Sequence, residues 1–129
     1  MTDPTTPLWA MLVTVVGLGA AGVALVILAR RSRDGRLLRN QIAGIRTALT
    51  LSSDAAWYAA QRASASANEI AGWGTLIGAA VLVAIVAAPL PSGVALPTTV
   101  VVVLGTAAWM LVWVLIGAAR GQRAAHAHR

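Results

Sequence analysis

Residues 8–29 carry no charged side chain, and neither do residues 70–90 or 98–119. These three runs constrain the chain more than any other feature. A helix rises about 1.5 Å per residue, so roughly 22 residues reach about 33 Å, enough to cross a hydrocarbon core about 30 Å thick. The sequence therefore predicts an all-α integral membrane protein, a single membrane domain over residues 1–129 built as a three-helix bundle. Composition agrees. The chain is 58% hydrophobic and 11% charged, where soluble domains carry about 25% charged residues. A cleaved signal peptide would place positive charge before a shorter apolar core. Here the flank before residue 8 holds Asp3 and the arginines come after residue 29.

The charge pattern sets the expected topology. Net charge is +6, and all ten basic residues are arginines. They fall within residues 30–62 and 120–129, while the N-terminal segment and the connection over residues 91–97 have none. Three spans put the two arginine-bearing segments on one side. The positive-inside rule then predicts a bacterial inner-membrane protein with its N-terminus outside and its long loop and C-terminus in the cytoplasm. The arginines flank apolar runs rather than aromatic base-stacking positions, so the partner they imply is an anionic lipid headgroup layer and not a nucleic acid. Each is worth about 1 kcal/mol near an anionic leaflet.

Local signals fill in the rest. Residues 1–7 read as a frayed polar end. Gly17, Gly19, Ala21 and Gly22 give the first span small residues at close spacing, and Gly74 and Gly78 do the same for the second. Such faces suit close helix approach and are compatible with a homo-oligomer. Asp34-Gly35 marks a turn. Ser52 or Ser53 can cap a helix whose first turn holds Asp54. Ala56, Ala59, Ala60, Ala63 and Ala67 recur on one side of that helix, opposite Asp54, Tyr58, Gln61, Arg62 and Glu69. This thinly amphipathic helix lies at the cytoplasmic face, either flat on the membrane or running into the second span. Pro89 and Pro91 end that span. Trp73 and Trp113 suit the interface, Trp109 suits a helix contact, and the basic tail over residues 120–129 is expected to be mobile.

The residue inventory argues against catalysis. There is no cysteine. His126 and His128 form a His-x-His pair in the tail with no third ligand nearby, so neither a metal nor a cofactor is expected. No nucleophile, base and oxyanion-hole set is evident, nor any phosphate-binding or dinucleotide fingerprint. Glu69, at the edge of the second span, is the one candidate for a proton-linked role; its other reading is an interfacial carboxylate paired with Arg62 or Arg46. Arg46, with a planar fork suited to carboxylate or phosphate, follows Gly44 and precedes the hydroxyls of Thr47, Thr50 and Ser52. It either forms a small polar site at the cytoplasmic face or, with Thr47, satisfies backbone groups where the chain re-enters the membrane.

The order Asn40, Gly44-Ile45-Arg46-Thr47, Thr50, Ser52, Trp57, Arg62 resembles the signature of the SdpI family, small bacterial membrane proteins named for an immunity protein against a secreted toxic peptide. The resemblance covers residues 39–74 and the arrangement of spans. It departs where a His or Asn often precedes the last arginine, since this chain has Gln61. The founding member also carries further N-terminal spans. The resemblance implies immunity against a membrane-active toxic peptide, or binding of a partner regulator, with Asn40, Gly44, Arg46, Thr47, Thr50, Ser52, Trp57 and Arg62 as the ligand- or partner-binding motif. The alternative is an accessory subunit of a larger membrane complex. A holin-like pore lacks a polar face in the spans, and a proton-linked exporter rests on Glu69 alone.

Overall fold

The computed structural model describes residues 7–128. Of residues 1–7, expected to be frayed, residues 1–6 lie outside that range, as does Arg129, while the Pro7 carbonyl accepts from the Met11 N–H at 3.1 Å at the start of α1. The described chain is all-helical: α1 (Leu8–Arg33), a short 3₁₀ turn (Thr50–Ser52), α2 (Asp54–Ala87) and α3 (Ser92–Ala127). All three α-helices are long and apolar enough to cross a membrane.

Each end has a local cause. Arg30, Arg31 and Arg33 occupy the last turn of α1, where cations complement the helix dipole. The turn closes when Gly35 adopts φ +70° and the Arg36 N–H donates back to the Arg31 carbonyl at 2.9 Å, leaving few orphan carbonyls. At the start of α2 the Ser53 hydroxyl accepts from the Ala56 N–H at 3.1 Å, with Asp54 in the first turn. Ala88 ends that helix in an extended conformation, as the following Pro89 requires.

Two sequence expectations need correction. The connection to α3 is shorter than residues 91–97, because the helix begins at Ser92 and carries Pro97 inside its second turn. Proline costs one backbone bond there, close to an end whose first N–H groups have no helical partner anyway. The tail is helical through Ala127 rather than mobile. It is held because Ala125 is fully buried with Ala56 and Ala60 of α2, while Gly121 lets α3 close on the Ala60 carbonyl, 2.9 Å from where a Cβ would stand. The question left by the amphipathic stretch also has an answer: α2 runs unbroken for 34 residues, about 51 Å. Its first half is a continuation of the second span, and with no proline to interrupt an alanine-rich run there is nothing to stop it.

α2 stands between the other two helices and packs along both, whereas α1 and α3 share little contact. The contacts are made by small residues. Added Cβ atoms at Gly22 and Gly72 would meet the opposite backbone carbonyl at 3.0 and 2.9 Å, so α1 and α2 touch main chain to main chain. On the other side, Trp109 fills the space left by Gly74, its indole N–H bonded to the Ile70 carbonyl at 3.1 Å, and Thr106 fills that of Gly78. Many larger aliphatic side chains point outward, Val16 and Val101 being 68% and 69% exposed, while fully buried positions include Ser64, Gln61 and Thr75 as well as Leu82. That inversion is what lipid as solvent produces, since packing among helices then depends on shape and polar contacts rather than on hiding apolar surface. Hydroxyls within the spans return to their own helix: Thr75, Thr99 and Thr106 each donate to the carbonyl four residues back.

Because α1 and α3 both run antiparallel to α2, the end of α1, the start of α2 and the end of α3 lie at one end of the bundle. There the first half of α2 and the last turns of α3 form a two-helix stalk, and residues 34–53 fold against it.

Candidate functional site: a braced loop at the basic end

The loop is held residue by residue. The Trp57 ring is fully buried and its indole N–H donates to the Leu37 carbonyl at 2.8 Å, fixing where the chain leaves α1. Asn40 then makes a local turn. Its side-chain oxygen accepts from the N–H groups of Ile42 and Ala43 at 2.8 and 2.7 Å, and its amide donates to the Leu38 carbonyl at 2.7 Å. Gly44, at φ +99°, passes directly over α2, where a Cβ would stand 2.9 Å from Gln61 Oε1 and 3.1 Å from the Trp57 ring. A side chain is excluded there by both conformation and space.

Next, the buried amide of Gln61 grips both backbone groups of Ile45. Its oxygen accepts from the Ile45 N–H and its NH₂ donates to the Ile45 carbonyl, each at 3.0 Å. The same carbonyl accepts from the Thr50 hydroxyl at 2.8 Å, and that hydroxyl accepts from the Thr47 N–H at 2.8 Å. Thr47 reciprocates: its hydroxyl accepts from the Thr50 N–H at 3.1 Å and donates to Gln122 Oε1 of α3 at 3.0 Å. Ser52 donates to the Leu49 carbonyl in the 3₁₀ turn. Arg39 pairs with Asp54 at 3.5 Å, tying the loop to the start of α2.

Six of the eight motif residues, Asn40, Gly44, Thr47, Thr50, Ser52 and Trp57, thus shape or brace the loop. Arg46 belongs to the same loop with its side chain exposed, whereas Arg62 lies outside it. Arg46 donates to the Gln41 carbonyl within the loop. Arg62 is exposed on α2, its guanidinium lying against Gly35. Glu69 pairs with neither of the partners anticipated for it. It binds Arg33 at 2.6 Å and Arg30 at 3.9 Å, joining the end of α1 to α2. The register explains the choice, because the antiparallel contact at Gly22 and Gly72 brings the last turns of α1 alongside this part of α2. Among the described residues no group of three His, Asp or Glu side chains could hold a metal ion.

Gln61 and Gln122 are the residues whose role the sequence did not disclose. Gln61 lies one helical turn after Trp57 on the same face, and that spacing was the available signal.

The family model for the SdpI/YfhL protein family matches residues 36–118, well over half of the chain. The chain belongs to the SdpI/YfhL family. The match begins just past the turn that closes α1 and runs through the loop, α2 and most of α3, so the shared unit of this SdpI-family protein is the loop together with the two helices that hold it. No curated protein and no solved structure matches significantly.

Proposed function

We propose that this SdpI-family membrane protein confers immunity to a membrane-active toxic peptide by binding it at the braced loop. The observation that carries the reading is how the loop divides its labour. Its hydrogen-bonding residues are spent on holding one conformation, while Leu38 and Ile42 stand 71% and 89% exposed on the same loop as the exposed Arg46. A fixed loop offering a cation and two aliphatic side chains suits an amphipathic peptide with an acidic group. It also loses little conformational entropy on binding. The arginine distribution favours a cytoplasmic position for this loop and for the end of α3. The role is recognition and not catalysis.

The test is a killing assay in sensitive bacteria challenged with a panel of membrane-active peptides. Wild type should protect against at least one, and Arg46→Ala or Ile42→Ser should reduce protection at equal membrane abundance. Absence of protection by wild type against the whole panel would end the immunity reading. One observation favours a role as an accessory subunit instead: Cβ atoms added at Gly17 and Gly19 would meet nothing within 4 Å, leaving that part of α1 open to another helix. Native mass measurement after gentle extraction would reveal such a companion; a lone chain would count against it.

A further inference from the structure

Around α2 from the loop, Tyr58 and Arg62 line a cleft of about 520 Å³ together with His128, just past the end of α3, and with Ala55, Ala59 and Ala124. No residue of 34–53 lines the cleft, although Gly35 touches the Arg62 guanidinium from outside it. The carboxylates of the described residues are taken by other arginines: Asp34 by Arg36, Asp54 by Arg39, and Glu69 by Arg33 and Arg30. None lies within 4.0 Å of Arg62.

The height of the cleft is fixed by packing. Gly117 meets Ala67 and Ser64, and Gly121 meets Ala60, so residue 62 is level with Arg120, where the uncharged run of α3 ends. From the other side, Gly35, in the turn after α1 and six residues past the end of its uncharged run, lies against the Arg62 guanidinium. The uncharged run of α3 therefore ends at the level of the cleft. That of α1 ends deeper, at Ala29, close to Glu69 and about two helical turns along α2. The cleft thus lies at or just outside the edge of the apolar zone. That is where the headgroup layer begins, roughly 5–8 Å thick on each side. A guanidinium fork matches two phosphate oxygens, with the Tyr58 phenol as a further donor and alanine walls that leave room for the headgroup. The His128 ring is held at the rim by its Nδ1–H bond to the Ala124 carbonyl at 3.0 Å.

We propose that this cleft binds a phosphate group at the membrane surface. The phosphodiester of an anionic lipid is the source its height favours, and free phosphate is the other. The test is native mass spectrometry of the full chain in neutral detergent, titrated separately with phosphatidylglycerol and with inorganic phosphate. Arg62→Gln should weaken phosphatidylglycerol retention about tenfold, the scale of one charge-assisted hydrogen-bonded contact, and Arg62→Lys should retain part of it. Arg123→Gln, which removes an equal charge outside the cleft, should stay within twofold of wild type. Circular dichroism checks that each variant remains helical. Arg62-dependent binding of inorganic phosphate, without lipid retention, would support the phosphate site and assign it a soluble ligand. Equal losses in Arg62→Gln and Arg123→Gln, or no dependence on Arg62 for either ligand, would overturn the proposal.

Discussion

Replacing Gln61 by Leu should release the loop while leaving the three helices in place. Gln61 is 1% exposed and makes two 3.0 Å bonds to Ile45. Leucine is similar in size, so the change isolates the polar loss from any cavity. The Ile45 carbonyl keeps its bond from Thr50 at 2.8 Å, but the Ile45 N–H loses its only partner. Two net hydrogen bonds at about 1 kcal/mol each, with part of a penalty of about 1–3 kcal/mol for an unsatisfied buried group, give roughly 2–3 kcal/mol. That raises the open population of the loop roughly 30- to 150-fold. Trypsin reads it directly, because Arg46 lies inside the loop and is cut only when the loop opens. With slow cleavage the rate follows the open population. Cleavage after Arg46 should accelerate by that factor, while cleavage after Arg123 in α3 stays unchanged. An Arg46 rate within twofold of wild type would refute the clamp. A parallel rise at Arg123 would show that the stalk and loop unfold as one unit.

Other perturbations test the neighbouring contacts. Gly44→Ala combines a disfavoured φ with a 2.9 Å approach to Gln61, and should raise trypsin cleavage after Arg46 by roughly five- to thirtyfold, about 1–2 kcal/mol. Glu69→Gln removes the bridges to Arg33 and Arg30, whose side chains are about half exposed, so the loss should be at most about 1 kcal/mol. It should lower the melting temperature in detergent by about 1–4 °C, with the difference shrinking in high salt. Gly78→Leu should separate α2 from α3, since Thr106 fills the space a side chain would need, and the protein should lose its cooperative melting transition. Gly17→Leu, where a Cβ meets nothing within 4 Å, should leave melting unchanged.

The spans could be read from sequence because lipid demands long uncharged runs and these three have them. The loop motif was visible as a string of residue types, but the division of labour within it was not. Thr47 and Thr50 serve each other and α3, a pairing that depends on where α3 ends. The sequence offered only a basic, polar tail there, and its helical form depends on Ala125 and Gly121 meeting Ala56 and Ala60 across the stalk. The start of α3 was misplaced for a related reason: Pro97 reads as a breaker, yet a proline within the first turns removes little that the helix would otherwise have. Gln61 read as a polar residue on the face away from the alanines and as a departure from the family pattern, whereas it is buried and grips the backbone beneath Gly44.

The chain lacks cysteine, so single substitutions can report on sidedness without background. Ala48→Cys in the loop, Ala127→Cys at the end of α3 and Val94→Cys at its start can each be exposed to a membrane-impermeant maleimide in intact cells and again after permeabilisation. Three membrane spans with the loop docked beside the end of α3 predict that the first two react alike and only after permeabilisation, while Val94→Cys reacts in intact cells. Labelling of Ala48→Cys and Ala127→Cys from opposite sides, or of all three from the same side, would contradict the arrangement of the helices.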